Sequence, residues 1–334
     1  MKFPIESTRK IAVFRALQLG DMLCAVPALR ALRHNYPDAE ITLLGLPWAA
    51  SFVERFSSYI DHFIHFPGYG GLPEQPFDQT LWEAFEARMR AENFDLILQM
   101  QGNGSIVNDM LDNLHAGTVA GFQCTGCIRD NGLFIDYPNS ISEIDRHLLM
   151  LANLGIRPSG NELEFPIEAS ETERLTDQNP TLQDSPYVCV HPGSRGAWRQ
   201  WPTAHFAALS DACAEMGFRV IVTGTESEAP ITREVIDQMQ NPAIDFTGKT
   251  DLGGIGQLIK NARLLVSNCT GVSHIASALC TPSIVISMDG EPERWGPLNK
   301  TLHKTFDWTK SQDADAVMSA MKQLLNDDPR EALS

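Results

Sequence analysis

The residues best suited to chemistry lie in short polar segments between apolar runs, and the segment 191–202 is one of them. It reads HPGSRGAWRQWP. Its glycines allow a ligand to approach the backbone closely, while Arg195 and Arg199 supply positive charge. This composition predicts a phosphate-binding loop that includes Ser194. A solvated loop anchored by its tryptophans is the alternative interpretation.

A second polar segment, 267–274, separates an apolar run from a stretch in which apolar residues have helical spacing. It reads SNCTGVSH, and Thr270 and Gly271 would open the helix. Backbone N–H groups at the start of a helix have no partner within the helix, so they form a natural anion site. His274 lies in the first turn, where it is either a ligand contact or an ordinary structural histidine.

Two carboxylates also follow strand candidates. Asp21 ends the turn QLGD after the strand candidate at 10–17. An aspartate at that position is typical of a helix N-cap, or it accepts a proton from a substrate hydroxyl as a general base. Glu228 closes the turn GTESE at 224–228. It fits either an acidic helix N-terminus or a ligand of both hydroxyls of a ribose.

Alternating strands and helices must position these residues. Apolar runs predict strands at 10–17, 41–44, 60–66, 95–100 and 118–122, and again at 187–190, 219–222, 244–246, 264–266, 283–286 and 301–306. Helical patterns lie between them, so the sequence predicts an α/β fold built on parallel sheets. Pro, Ser, Asn and Glu accumulate at 157–185, where we place a domain boundary. Ligands of such sheets bind beyond the carboxyl ends of the strands.

Size and composition limit the possible classes of protein. A chain of 334 residues favours two domains. The net charge of −16 argues against a broad nucleic-acid-binding surface. No apolar run approaches the length of a membrane helix and no signal-peptide pattern opens the chain, so we expect a cytoplasmic protein.

Seven cysteines are scattered along the chain, and this odd number disfavours a disulfide framework. Cys124 and Cys127 are the only close pair in the sequence. A metal or redox site there would need further ligands or a thioredoxin-like context. We therefore expect free thiols in a loop, and no metal site in the protein.

Four segments, taken in their order and spacing, resemble the heptosyltransferases of glycosyltransferase family 9. They are RALQLGD at 15–21 followed by PAL at 27–29, the segment 191–202, the turn 224–228, and SNCTGVSH at 267–274 followed by Ala276, Ala278, Thr281 and Pro282. The resemblance implies a GT-B fold, in which two Rossmann-like, doubly wound domains face each other across a cleft. We expect an acceptor domain at 1–165, a nucleotide-sugar domain at 180–310, and a terminal helix at 311–334 that packs back on the N-terminal domain.

The resemblance also implies an activity, the inverting and metal-independent transfer of a heptose-like sugar from an ADP-sugar to a hydroxyl of a glycan or glycolipid. Lipopolysaccharide core biosynthesis is the pathway of that type. The nucleotide sugar would be a substrate, and no cofactor is implied. The acceptor would be met in the cytoplasm or at the inner face of the membrane, with at most peripheral membrane contact and no nucleic-acid partner.

The match to the family motifs assigns expected roles to individual residues. Asp21 is expected to be the catalytic base, Arg199 to bind the donor diphosphate and Glu228 to bind the ribose. The residues expected on the donor side are Ser194, Arg195, Arg199, Glu228, Thr247, Leu252, Thr270, Gly271, Val272 and His274. Those expected on the acceptor side are Gly20, Gln101 and Asn103.

The chain departs from the family pattern at three positions. Cys269 and Gln99 stand where the family has aspartate, and Cys280 stands where it has glycine. Two alternatives therefore stay open: a family 9 transferase with another nucleotide sugar or a protein acceptor, and a catalytically silent nucleotide-sugar-binding protein. An NAD-dependent oxidoreductase would need a glycine fingerprint at its first strand, and the sequence lacks it.

Overall fold

The chain forms two compact units, one up to Glu162 and one from Leu163 onward. The computed structural model of the protein describes residues 3–4, 7–127, 129 and 132–327. The division between the units falls inside the polar segment 157–185, where the sequence places a boundary. Each unit contains a parallel sheet of six strands, so the predicted α/β class with two doubly wound sheets is confirmed.

The sheet of the N-terminal unit is built from six parallel strands. They are β1 (Lys10–Phe14), β2 (Glu40–Gly45), β3 (His62–His65), β4 (Leu96–Gln99), β5 (Val119–Gln123) and β6 (Phe134–Asp136). Their order in the sheet is β3-β2-β1-β4-β5-β6. The two central strands are buried on both faces, which explains why both read as continuous apolar runs in the sequence.

Five helices accompany this sheet among the described residues of the unit. They are α1 (Leu19–Asn35), α2 (Ala49–Arg55), α3 (Gln79–Glu92), α4 (Val107–Asp112) and α5 (Glu143–Asn153). Helix α1 packs against α5. Its N-terminus is closed by a capping box in which Gln18 and Asp21 satisfy each other's backbone N–H groups.

The sheet of the C-terminal unit repeats this plan. Its strands are β7 (Tyr187–His191), β8 (Arg219–Val222), β9 (Ala243–Asp245), β10 (Leu264–Asn268), β11 (Ser283–Ser287) and β12 (His303–Asp307). They follow the order β12-β11-β10-β7-β8-β9, and all neighbouring pairs are parallel.

The helices of the C-terminal unit lie between these strands and at its two ends. They are α6 (Ala169–Gln178), α7 (Thr203–Glu215), α8 (Ala229–Gln238), α9 (Leu252–Asn261), α10 (Gly271–Ala278), α11 (Pro292–Trp295) and α12 (Ala314–Asn326). Three short 3₁₀ turns add to them, at Pro180–Gln183, Ala197–Arg199 and Glu226–Glu228. Within the part of the chain that the structure describes, none of the helices combines the length and apolar character needed to span a bilayer.

Helix α12 packs its apolar face within the C-terminal unit. Its apolar side chains Val317, Met321 and Leu324 are buried in the core of the C-terminal unit, against α7 and β11. The amphipathic pattern predicts that one face of this helix is covered, but it does not name the covering surface. The expected packing of this segment on the N-terminal domain stays a prediction. Residues 328–334 of the predicted helical segment lie outside the described residues.

The sequence-based prediction misses helix α6, strand β6 and the four-residue helix α11. Helix α6 is strongly polar and Leu175 is its only buried side chain, so the sequence shows no apolar stripe there. Its start is instead marked by a capping box between Glu168 and Glu171. Strand β6 has three residues and pairs only with β5 at the edge of the sheet. Neither α6 nor β6 has enough apolar residues to form such a stripe.

Cys124 and Cys127 form a disulfide in the loop between β5 and β6. This corrects the expectation of free thiols. The backbone turn donates a hydrogen bond from Cys127 N–H to the Cys124 carbonyl at 3.0 Å and brings the two Cα atoms to 5.4 Å. That separation suits a disulfide without movement of the backbone. The five other cysteines are free thiols.

Candidate functional site

Both sheets reverse their winding direction at the centre, and several of the predicted functional residues of each unit lie beyond that point. In the N-terminal unit the reversal falls between β1 and β4, and in the C-terminal unit between β7 and β10. Parallel sheets bind ligands outside the carboxyl ends of the strands at such switch points. Gly20 and Asp21 follow β1, and Gln101 and Asn103 follow β4. The loop 192–199 follows β7, and the start of α10 follows β10.

Asp21 is the third residue of α1, whereas Gln18 is the N-cap. The N-cap interpretation of Asp21 is therefore wrong in position, although the carboxylate does stabilise the helix start. Its Oδ2 accepts a hydrogen bond from Gln18 N–H at 3.3 Å. The side chain is half-buried, and Gly20 before it is half-buried as well.

The side chains of the acceptor-side candidates Gln101 and Asn103 accept hydrogen bonds from the turns that follow β1 and β4. Gln101 is buried, and its Oε1 accepts a hydrogen bond from Ala16 N–H at 2.7 Å. Its Nε2 donates to Glu74 Oε1 at 3.1 Å. Asn103 is exposed, and its Oδ1 accepts from Ser105 N–H at 3.1 Å. The amide of Gln101 thus ties the ends of β1 and β4 together, while Asn103 faces solvent.

The loop 192–201 is fastened to the tip of β10 by Asn268. The amide Nδ2 of Asn268 donates to the Pro192 carbonyl at 2.7 Å, and its Oδ1 accepts from Trp201 N–H at 2.9 Å. Ser194 is buried, and its carbonyl accepts from Gln200 Nε2 at 3.0 Å. Arg195 is exposed. A loop fixed at both ends in this way presents its backbone in one arrangement, as an anion-binding loop requires.

Arg199 is held by a carboxylate that the sequence analysis missed. Its guanidinium lies 2.5 Å from Asp289 Oδ2 and donates to the Cys269 carbonyl at 3.5 Å. The other carboxylate oxygen of Asp289 accepts from Ser287 Oγ at 2.7 Å. The available signal was the position of Asp289, which comes two residues after the end of β11. The pair fixes Arg199 beside the turn that precedes α10.

Cys269, where the resemblance described above leads us to expect aspartate, is a buried neutral thiol. Burial raises its pKa to about 12, and the charge of Asp289 acts in the same direction. The thiol therefore supplies no negative charge at neutral pH. Asp289 provides the carboxylate next to this turn, and that carboxylate comes from the end of the adjacent strand β11.

Glu228 lies at the tip of the loop after β8. Its Oε2 accepts from Thr225 N–H at 2.8 Å and from Thr225 Oγ1 at 2.9 Å. It also lies 3.8 Å from His191 Nε2. A Cβ atom on Gly193 would come within 2.2 Å of the Glu228 carboxylate, so this close approach of loop and carboxylate requires glycine.

His191 is buried between the ends of β7 and β8. Its Nδ1 lies 3.0 Å from Thr223 Oγ1. Burial lowers the pKa of His191, whereas Glu228 opposes that shift. The histidine links the phosphate-loop candidate to the turn that carries Glu228.

The N-terminus of α10 lies beyond β10, with Thr270 as its N-cap. The Thr270 carbonyl accepts from Ser273 Oγ at 2.7 Å, which orders the first turn. Gly271 begins the helix, and Val272 and His274 are buried in it. His274 is therefore covered by protein on most of its surface, as a structural histidine would be.

Thr247 and Leu252 follow the edge strand β9, which is two strands away from β7 and the switch point of this unit. Thr247 Oγ1 donates to Thr232 Oγ1 at 2.8 Å, and the next residue, Gly248, donates its N–H to the Gly224 carbonyl at 2.9 Å. The turn at Thr247 is thus bonded to the turn that leads to Glu228. Leu252 is the first residue of α9 and is half-buried. Within the described residues, no group of three or more His, Cys, Asp or Glu side chains is arranged to hold a metal ion.

Comparison with protein families gives a match to a family model described as glycosyltransferase family 9 (heptosyltransferase). The match covers residues 82–323. This range contains all the donor-side candidates together with Gln101 and Asn103. Gly20 and Asp21 lie before it. The matched range is more than two thirds of the chain.

Relatives and solved structures of similar length support this match. Lipooligosaccharide heptosyltransferase 2 of Haemophilus ducreyi is 24% identical over 87% of this chain and 86% of its own length. The crystal structure of a family 9 glycosyl transferase from Veillonella parvula has a TM-score of 0.78 and 19% identity, covering 95% of this chain and 97% of that one. The E. coli ADP-heptose lps heptosyltransferase II has a TM-score of 0.72 and 16% identity, covering 95% and 98%. Both structures share the fold described above.

Proposed function

Since the chain belongs to glycosyltransferase family 9 (heptosyltransferase) and is therefore a glycosyltransferase, we propose that it transfers a heptose-like sugar from an ADP-sugar to a hydroxyl group of a glycan or glycolipid. The acceptor is of the lipopolysaccharide-core type, since the relative in H. ducreyi is named for lipooligosaccharide and the E. coli structure for lps. The observation that carries this proposal is the family match over residues 82–323, which includes every donor-side candidate.

In this proposal the C-terminal unit holds the donor at its switch point. Arg199 has five N–H donors, so it can bind the diphosphate while it remains paired with Asp289. The N-terminus of α10 adds its backbone N–H groups and the positive end of the helix dipole. Glu228 accepts hydrogen bonds from the ribose hydroxyls, and the segment 247–252 lies along the adenine. Ser194, Arg195, Val272 and His274 complete this set.

The N-terminal unit supplies the base. The acceptor oxygen attacks the anomeric carbon as the bond from that carbon to the diphosphate breaks, which inverts the configuration. Asp21 takes the proton of the attacking hydroxyl, and ADP leaves with its charge stabilised by Arg199 and the start of α10. These fixed positive groups take the part that a divalent ion plays in other transferases, so the proposed mechanism is independent of metal.

The proposal is tested by an assay of sugar transfer from ADP-heptose to a lipopolysaccharide-core acceptor. Asp21→Asn removes the base and is expected to lower kcat by at least about 100-fold, the scale of general base catalysis. The affinity for ADP, measured by calorimetry, should stay unchanged. Asp145→Asn is a matched control, because Asp145 is also the third residue of a helix and also bonds to its N-cap, Ser142. This control should retain the activity of the parent protein.

Each part of the proposal has its own contrary result. Full activity of Asp21→Asn would remove Asp21 as the base. Transfer from a UDP- or GDP-sugar in preference to ADP-heptose would replace the donor. Binding of ADP-heptose without transfer to any glycan, glycolipid or protein acceptor would favour the silent binding protein.

A further inference from the structure

A buried cluster of charged side chains lies beneath the switch point of the N-terminal unit. Arg15, Glu143 and Arg146 are each at most 3% exposed, and His147 is 1% exposed. The carboxylate of Glu143 lies 3.2 Å from Arg15 Nη2 and also pairs with Arg146. His147 Nε2 is 3.5 Å from the same carboxylate. Two guanidinium groups therefore share one carboxylate in the interior.

The other two guanidinium nitrogens of Arg15 donate hydrogen bonds to backbone carbonyls at the edge of the sheet. Its Nε donates to the carbonyl of Asp21 at 3.0 Å. Its Nη1 donates to the carbonyl of Met100, the first residue after β4. One planar side chain thus fixes three elements relative to one another: the start of α1, the end of β4, and α5 through Glu143.

Stability alone does not account for this arrangement. Removing charges from water costs several kcal/mol per ion, and well-packed apolar residues often replace a buried ion pair without loss of stability. Burial acts against ionisation of Glu143, but the neighbouring His147 ring and the charges of Arg15 and Arg146 hold its pKa well below the usual range. Arg15, Glu143 and Arg146 stay ionised, and the donors of Arg15 remain directed at the carbonyls of Asp21 and Met100.

The turn that carries Asp21 is held by several hydrogen bonds, and the one from Arg15 is made to Asp21 itself. Trp48 Nε1 donates to the Leu17 carbonyl at 3.2 Å, and Gln101 accepts from Ala16 N–H. These two contacts hold residues 16 and 17, whereas the contact from Arg15 acts on Asp21 itself. Because a base must lie within about 3 Å of the proton that it accepts, small shifts of this backbone matter.

We infer that Arg15, held by Glu143, is a positioning residue for Asp21 and sets the orientation of this carboxylate toward the acceptor hydroxyl. The inference rests on the proposed function of Asp21. It assigns to Arg15 an effect on the rate of the chemical step and none on donor binding, since the donor candidates lie in the other unit.

Arg15→Met and Arg146→Met form a matched pair for the test. Each removes one of the two arginines from Glu143 and leaves the carboxylate paired with the other. Arg146 bonds to the Pro138 carbonyl at 2.9 Å and to Tyr137 Oη at 2.7 Å, away from Asp21. A general loss of buried charge would affect both variants equally, whereas a positioning role affects Arg15→Met alone.

In the full-length protein, Arg15→Met is expected to lower kcat by about 10- to 100-fold, the scale of an ångström-sized misplacement. The affinity of this variant for ADP should be unchanged. The kcat of Arg146→Met should remain within about threefold of that of the parent protein. In the Asp21→Asn background, Arg15→Met should cause no further loss, because Arg15 acts through Asp21. If Arg15→Met does not fold, Arg15→Lys keeps the charge but lacks the planar fork, and it should show the same loss in kcat.

Unchanged kcat in a folded Arg15 variant overturns the inference, as does an equal loss in Arg146→Met. An additive loss in the double variant with Asp21→Asn overturns it as well. These outcomes are distinct from failure of the proposed function. In that case Asp21→Asn itself keeps full activity, whatever the Arg15 variants do.

Discussion

At the scale of single residues, the structure explains how the chain tolerates cysteine at position 269. The thiol is buried and neutral, and a carboxylate reaches the same turn from Asp289. Arg199 is bound by that carboxylate and by the Cys269 carbonyl. The guanidinium therefore keeps a fixed place beside the start of α10 without an aspartate at position 269.

Arg199→Ala is expected to weaken the binding of ADP by about 1.5–3 kcal/mol, which is the range for a hydrogen bond to a charged group. Isothermal titration calorimetry measures this change. Arg195→Ala serves as the control, because Arg195 is exposed and solvent screens its charge. Its effect should stay below about 1 kcal/mol. Equal losses of ADP affinity in the two variants would contradict the assignment of Arg199 to the diphosphate.

At the scale of elements, the polar loops gather because of strand order. The two central strands of each sheet leave their loops on either side of the switch point, so residues far apart in sequence meet there. Helix α12 plays a different part, since it covers the C-terminal sheet and completes its core together with Trp201 and Trp308. It stabilises the unit that carries the donor candidates.

Met321→Ala is expected to lower the free energy of unfolding of the C-terminal unit by about 2–5 kcal/mol, because Met321 is fully buried in that core. Urea unfolding followed by tryptophan fluorescence measures the change, as Trp201 and Trp308 lie in the same cluster. Met318→Ala, one turn earlier and only partly buried, should have a smaller effect. A negligible effect of Met321→Ala would contradict the packing of α12 within this unit.

At the scale of the whole molecule, each unit contains a buried histidine that stays neutral. Burial lowers the pKa of His147 to about 4, and the charge of Arg15 adds to the shift. Burial likewise lowers the pKa of His303 to about 4, with a smaller effect of Lys300. Both histidines titrate near pH 6.5 once the chain is unfolded. The unfolded state therefore binds more protons than the folded state between about pH 4 and pH 6.5.

The free energy of unfolding should consequently be level above about pH 6.5 and fall as the pH decreases toward 4. Each histidine is expected to lower it by about 2 kcal/mol at pH 5. Urea unfolding at pH 7.5, 6 and 5 checks this dependence. His303→Leu should reduce the slope of the unfolding free energy against pH, by the equivalent of up to about one bound proton. The substitution His62→Gln, at an exposed position, should leave this slope unchanged. An unaltered slope in His303→Leu would exclude His303 from the acid sensitivity.

Much of the fold follows from the sequence because buried parallel strands read as apolar runs. The runs at 264–266 and 283–286 correspond to β10 and β11, and the polar turn between them leads into α10 as predicted. Asp21, Glu228 and the segment 191–202 were found because they follow such runs, whereas Thr247 and Leu252 were named from the resemblance to family 9. Helix α6 and strand β6 were not found, because their side chains are mostly exposed and show no apolar stripe.

By itself, then, the sequence determined which segments are buried, where they end and which polar residues stand at those ends. Only the tertiary structure decided what these residues contact. Arg15 meets Glu143 across 128 positions of sequence, and Arg199 meets Asp289 across 90. Periodicity reports that a face is covered or that a polar side chain is buried, but it does not report the partner. The partner depends on strand order and helix packing, which arise from contacts distant in the chain.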